Sequence, residues 1–206
     1  MRTPNPWTVV PAADYEAHMG PAGVDLLVPL SQLFEEAYVA AQPDRVLVLG
    51  CATGNGLEHV NPNVTKRVVG VDVNLQYLGI ARQRFFHLGP RLELYCSDAE
   101  RFQAAEGPFD LVHAALILEY AAVDAIVERI AGWLAERGTC SVVLEVPGGE
   151  PARATSRGMQ IVQRFGRPVD PEALTARFAR QGVVLRRARA VPLRSGGHLW
   201  AGAFGR

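Results

Sequence analysis

Lysine is nearly missing from this chain: Lys66 is the only one among 21 basic side chains. Acidic side chains also number 21, so the formal net charge is zero. No global field pulls the protein toward nucleic acid or an anionic bilayer. Cysteine is sparse and odd in number. Cys51, Cys96 and Cys140 lie in or beside apolar, strand-like runs, which argues against a disulfide framework and suits a reducing cytoplasm. The five histidines and three cysteines have no zinc-type spacing, so no metal is expected. No apolar run reaches the length of a membrane span. The start, MRTPNPWTVVPAADYE, is too polar and proline-broken for a signal peptide, and a cytoplasmic protein is expected. The 206 residues suit one domain with a full core, and 49% hydrophobic content predicts a globular one.

What is present is a strand, a glycine-rich turn and a helix start in RVLVLGCATGNGLEHV, residues 45–60. Val46 to Leu49 form a continuous apolar run, as in a parallel strand covered on both faces. Gly50, Gly54 and Gly56 then permit tight turning and close backbone approach to a ligand. The following helix start offers free N–H groups. Asp72 closes a second apolar run, VVGVD, twenty-two residues after Gly50. At that distance a carboxylate can take the hydroxyls of a bound ribose. A nucleoside cofactor site is expected, against the plainer alternative of an ordinary strand–turn–helix.

Around that centre the elements alternate. Pro4, Pro6 and Pro11 punctuate the start, with Trp7 as a packing anchor. A short helix over 12–19 puts Tyr15, His18 and Met19 on one face. A second helix over 24–41 carries Leu26, Leu27, Leu30, Leu33, Phe34, Ala37 and Tyr38. Residues 1–42 are thus expected as a helical addition or lid to a sheet domain spanning 43–206. Strands are expected at 45–49, 66–73, 91–96, 109–115 and 139–146. The intervening helices run to about Val60, from Asn74 to Leu88, briefly before Gly107-Pro108, and over 123–136. The tail breaks the rhythm with a weakly patterned helix over 152–165, then a helix from Pro171 to Gln181. Strands over 183–193 and 198–204, joined by Arg194-Ser195-Gly196-Gly197, form an antiparallel hairpin. The fold expected is doubly wound α/β: a seven-stranded, mostly parallel sheet with one antiparallel strand from the C-terminal hairpin and helices on both faces.

This order resembles the class I S-adenosylmethionine-dependent methyltransferases, over nearly all of 45–204. Gly50, Cys51, Thr53 and Gly54 match a common form of the family's first motif. Two positions depart from it: Val48 stands where the family has an acidic residue, and Ala52 where it has the middle glycine. The resemblance implies S-adenosyl-L-methionine as cofactor, with Gly50, Cys51, Ala52, Gly54 and Asn55 in the binding turn. Asp72 would hold the ribose hydroxyls and Val73 lie against the adenine. Asp98 and Ala99 would recognise the adenine amino group, and the backbone of Ala115 would approach the methionine moiety. The opening WTVVPAADYEAHM, with NGLEHV and LILEYA, looks like a bacterial branch of small-molecule type.

Methyl transfer from a sulfonium is an in-line displacement, so the protein chiefly aligns the nucleophile, excludes water and takes a proton. Candidates at the strand ends are Glu119 and Tyr120 as catalytic residues, with Glu145, Tyr15 and His18 as substrate or lid residues. Glu119 reads equally as a general base or as an acid favoured at a helix start. Tyr15 and His18 read as lid residues or as packing on the sheet end. His113, inside a strand, reads as a hydrogen-bonded core histidine, and His59 as structural. Ten arginines between Pro151 and Ser195 read as a solvated surface in a chain where arginine stands for lysine almost everywhere, rather than as a basic groove. The acceptor expected is a small molecule. Two other readings stay open: a non-catalytic member that binds the cofactor or a partner, and an NAD-dependent oxidoreductase. The single GxG at Gly54-Asn55-Gly56 weighs against the latter, because His59 stands where a dinucleotide fingerprint has its third glycine.

Overall fold

A computed structural model describes residues 5–148, 154–194 and 196–206. Its centre is β1 (Arg45–Leu49), four of whose five residues are buried. Val46 and Val48 face one layer of the core, and Leu47 and Leu49 face the other. Such a strand needs parallel neighbours on both sides. They are β2 (Arg67–Asp72) and β4 (Phe109–Ala115). The sheet continues outward through β3 (Leu92–Cys96) on one side. On the other it continues through β5 (Leu134–Val146), β7 (His198–Gly205) and β6 (Val184–Pro192). The order is β3-β2-β1-β4-β5-β7-β6, and β7 runs antiparallel to both its neighbours. This is the expected seven-stranded, doubly wound α/β sheet with one reversed strand.

One face is covered by α2 (Leu27–Ala41) and α3 (Leu75–Arg84), through Phe34, Tyr38, Leu78 and Ala81. The other is covered by α4 (Val123–Trp133) and α6 (Pro171–Arg180), through Ile126, Val127, Ile130, Leu174 and Phe178. A third apolar cluster joins α1 (Ala12–Met19), the start of α2 and α5 (Arg157–Phe165) over the C-terminal ends of the strands. No helix among the described residues is long and apolar enough to cross a membrane.

Several boundaries differ from those expected, each for a local reason. The helix after the glycine turn is only the 3-10 turn Leu57–His59, because Gly56 enters it at φ +96° and Pro62 closes it off. No helix forms between β3 and β4: Phe102 is drawn into the core against Tyr95 and Trp133, leaving too few residues to offset helix nucleation. The helix after Asn74 ends at Arg84 and gives way to the 3-10 stretch Phe86–Arg91, which holds Pro90. α2 starts at Leu27 rather than Val24, since Asp25 sits at φ +56°. α4 stops at Trp133 and β5 begins at once, because buried Leu134 already pairs with Phe109. The ladder then shifts register, and a side chain at Gly138 would strike the Phe109 carbonyl. α5 is capped by Ser156, whose hydroxyl accepts from Met159 N–H; the expected start at Ala152, Gly149 of the preceding turn and Ser195 of the hairpin lie outside the described residues.

Candidate functional site

The C-terminal ends of β1, β2, β4 and β5 open into one cavity of about 320 Å³. Its floor begins at the glycine turn. Gly50 adopts φ +65°, and a Cβ there would come within 3.0 Å of Ile117, so glycine is required on steric grounds as well. The Gly50 and Cys51 N–H groups both donate to the Val71 carbonyl, sewing the turn to β2. Ala52 sits at φ +44°, a conformation an alanine adopts at a cost of roughly 1–2 kcal/mol. Its N–H donates to Asp72 Oδ2 at 2.9 Å, while Asn74 N–H donates to Oδ1 at 2.9 Å. Burial raises the Asp72 carboxyl, and these backbone donors oppose the rise. Each oxygen keeps capacity for a further donor. Beyond it, Val73, Ser97, Asp98 and Ala99 continue the wall, with Asp98 Oδ1 accepting from Glu100 N–H at 2.9 Å.

The other half of the cavity is built from β4 and β5. Ala115 ends β4, and Leu116 turns the chain at φ +53° while donating its N–H to the Val143 carbonyl. The 3-10 turn Leu118–Tyr120 then presents Glu119 and Tyr120. Glu119 Oε1 accepts from Glu145 N–H at 3.0 Å, whereas Oε2 is buried without a partner. Burial, with a smaller push from the Glu145 charge, drives the Glu119 carboxyl up to about 7. Glu145 lies exposed at the rim, its carboxyl raised by desolvation. The Tyr120 ring meets Trp7 edge-on at 5.2 Å, and burial pushes its phenol up.

The roof comes from the N-terminal segment. Tyr15, His18 and Met19 face the cavity together, as their helical spacing requires. Burial lowers the His18 imidazole, leaving it neutral near pH 7, and its Nδ1 has no partner. Tyr77 OH is likewise buried and unpaired. Among the described residues, the three buried polar side-chain atoms without a partner (on His18, Tyr77 and Glu119) all belong to residues lining this cavity. Such atoms are costly inside a protein and are what a bound ligand or water relieves.

Of the residues singled out in the sequence, the cavity brings together Gly50, Ala52, Asp72, Val73, Asp98, Ala99, Ala115, Glu119, Tyr120, Glu145, Tyr15 and His18. It does not bring in Cys51, Gly54 or Asn55. Cys51 is buried, with its sulfur against Gly70. Gly54 and Asn55 line a smaller cavity of about 220 Å³ behind the turn, with Glu16, Thr53 and Arg84. Val48 packs in the core cluster that holds Phe34 and Leu57. His113 is a core residue: Nδ1 lies 3.2 Å from Ser141 Oγ, Phe34 packs against its ring, and burial lowers it to about 4. His59 lies on the flank of the fold, beside Ser31 and Glu35. The tail arginines spread over separate partners, Arg177 on Asp124, Arg189 on Glu36 and Arg194 on Asp25, and form no common groove. No group of three or more metal-ligating side chains occurs among the described residues.

Sequence reasoning missed several wall residues. Trp7, read as a packing anchor, lines the cavity, as do Tyr77, Met159, Gln163 and Arg167. For Met159, Gln163 and Arg167 the signal was the break in the strand–helix rhythm after β5: α5 fills that break and rests on the N-terminal segment.

The methyltransferase-domain family profile matches residues 46–138, which run from β1 into β5. No curated protein sequence matches the chain. Among solved structures, the N-methyltransferase NodS from Bradyrhizobium japonicum WM9, in complex with S-adenosyl-L-homocysteine, is similar at TM-score 0.72 and 17% identity. The match covers 97% of each chain. The magnesium protoporphyrin IX methyltransferase ChlM from Synechocystis PCC 6803, with bound SAM, is similar at TM-score 0.69 and 13% identity, over 97% of this chain and 93% of that one. The [4+2]-cyclase SpnF is similar at TM-score 0.69 and 17% identity, over 86% and 80%. At such identities these likenesses establish the fold. The sheet order and the strand-end cavity define a Rossmann-like methyltransferase fold. Residues 46–138 within that fold match the methyltransferase-domain family, whose cofactor is S-adenosylmethionine.

The wall fits that cofactor on its own evidence. A buried carboxylate at Asp72 has spare acceptor capacity, the Gly50 floor excludes a side chain, and a second acid at Asp98 stands further along.

Proposed function

We propose that the chain transfers a methyl group from S-adenosyl-L-methionine to a small-molecule acceptor inside the strand-end cavity. The observation that carries this is the division of the cavity walls. Asp72 and Asp98 stand on the β2–β3 side, and Glu119 and Glu145 stand on the β4–β5 side. Asp72 would hold the ribose hydroxyls, with Val73 beside the adenine and Asp98 and Ala99 at its amino group. Gly50 and Ala52 would let the cofactor approach the backbone, and Ala115 would border the methionine moiety. Cys51 acts through packing, and Gly54 and Asn55 shape the turn from behind. When bound, the cofactor supplies an electrophilic methyl carbon and a neutral thioether leaving group.

Glu119 is proposed as the general base. A carboxyl held near 7 has a proton affinity suited to taking a proton at neutral pH. Oε2, the oxygen free of protein donors, would receive it. Tyr120 would orient the acceptor, with Trp7 and Tyr15 walling it from water. His18, neutral, and Glu145 at the rim would contact the acceptor's polar groups. Residues 1–42 would serve as the roof over the catalytic domain 43–206. A small acceptor suits a cavity of this size, and the scattered arginines supply no nucleic-acid track. Three free thiols suit a reducing, cytoplasmic setting.

Calorimetric titration with S-adenosylmethionine, S-adenosylhomocysteine and NAD tests the reading. Both sulfur nucleosides should bind and NAD should not; failure of both to bind sinks it. A metabolite screen for methyl acceptance then identifies the acceptor.

A further inference from the structure

The roof of the cavity is fastened to the glycine turn and to α3, and the fastening is specific. Tyr15 and Glu16 are neighbours on α1 and reach different partners. Tyr15 packs against Tyr77 at 5.1 Å, where burial and the Asp72 charge push its phenol up. Glu16 turns behind the turn, where Thr53 Oγ1 donates to Oε1 at 2.8 Å. Arg84 of α3 grips the same carboxylate with two nitrogens, at 2.5 and 3.0 Å. Thr53 is 2% exposed and follows Ala52, whose N–H holds Asp72. A second tether runs from Asn74, whose Nδ2 donates to the Trp7 and Val10 carbonyls at 2.8 and 2.9 Å. Asn74 N–H in turn donates to Asp72 Oδ1. One tether of the N-terminal segment therefore ends on Thr53, next to the Ala52 that bonds Asp72 Oδ2, and the other on Asn74, which bonds Oδ1.

A half-exposed ion pair adds little stability by itself. The threonine bond is different: its donor is buried, and it ties the conformation of the turn to an acceptor on α1. Breaking it frees α1 and the turn together.

We propose that Glu16 is a positioning residue for the cofactor turn, coupling cofactor affinity to the docking of residues 5–19 over the acceptor side of the cavity. This rests on the cofactor reading of Asp72. Coupling of binding is reciprocal, so a turn that grips better with α1 docked also makes the cofactor hold α1 in place. The Trp7–Tyr120 wall is then secured once the cofactor is in, and cofactor binding precedes acceptor binding.

The test uses the full chain, S-adenosylhomocysteine titrations and hydrogen–deuterium exchange. In the parent, the nucleoside should bind and slow amide exchange across residues 12–19. Glu16→Ala should weaken binding about tenfold and abolish that protection, with exchange in β4 and β5 unchanged. Glu16→Gln keeps an acceptor for Thr53 without the charge and should recover most of the affinity. Arg84→Met, which leaves the Thr53 bond in place, should cost less than Glu16→Ala. Binding by Glu16→Ala within twofold of the parent overturns the proposal, and so does a Glu16→Gln as weak as Glu16→Ala. A parent that binds no S-adenosylhomocysteine sinks the cofactor reading itself, a separate outcome.

Discussion

Two buried carboxyls face one cavity and are hydrogen-bonded to different degrees. On the β1–β2 side, Asp72 receives a backbone N–H on each oxygen, and those donors oppose the rise that burial causes. On the β4–β5 side, Glu119 accepts from Glu145 N–H on Oε1 alone of its two oxygens; its own backbone N–H also opposes the rise, and burial still drives it up to about 7. Fixed donors favour the charged form of an acid and offset part of what burial does to it. Where burial outweighs them, the carboxyl titrates near neutral pH, the property the proposed general base needs. The difference lies in the backbone around each acid: the glycine turn and the residue that caps α3 each give Asp72 an N–H, one to each oxygen, whereas β5 gives Glu119 an N–H on Oε1 and leaves Oε2 unpaired.

The largest expected effect comes from removing the exchangeable proton. With an acceptor in hand, Glu119→Gln should lower turnover about 10²–10³-fold, while S-adenosylhomocysteine affinity, followed by calorimetry, stays within threefold. A turnover loss matched by an equal affinity loss would erase the contrast between the two acids. Next is Asp72→Ala, expected to weaken S-adenosylhomocysteine about 10–100-fold through loss of charged hydrogen bonds. Unchanged affinity would move the cofactor elsewhere.

Third is the pH dependence of stability. The folded value of Glu119, about 7, lies above the ordinary 4.5. Its contribution is therefore full below 4.5 and is lost as pH rises through 7, on the order of 3 kcal/mol at the limit. Denaturant melts should show Glu119→Gln more stable than the parent at pH 8 and equal to it at pH 4. Equal stability at both would mean that Glu119 reaches solvent. The smallest effect concerns the turn itself. Ala52→Gly relieves the left-handed strain but adds unfolded-state freedom, for a net gain of about 0.5–1 kcal/mol in melts. A loss instead would show that the alanine methyl packs well enough to outweigh its strain.

Much of the β1–β2 side was legible in the sequence. Gly50, Asp72 and Asp98 end apolar strand runs, and strand ends in an open α/β sheet converge on one edge. The turn's two faces were not legible. Gly54 and Asn55 belong to the same motif as Gly50 yet line the cavity behind it, because a chain that turns at φ +65° and again at φ +94° presents successive residues to opposite sides. The segment between β3 and β4 was misread as a helix, since the pull of Phe102 into the core is a long-range contact that local pattern does not register. Nor did the sequence mark Trp7, Gln163 or Arg167, whose approach to Tyr120 and Glu119 joins residues more than forty positions apart.

By itself, the sequence determined the strands, the reversed hairpin and the acids that end β2 and follow β3, because alternation, glycine placement and strand termini are local properties. Only the tertiary structure decided which polar side chains share a cavity and which acid is poised to accept a proton. Those depend on desolvation and on donors brought from distant elements: α1 and α5 roof the site, and Glu145 on β5 supplies the N–H that Glu119 Oε1 accepts.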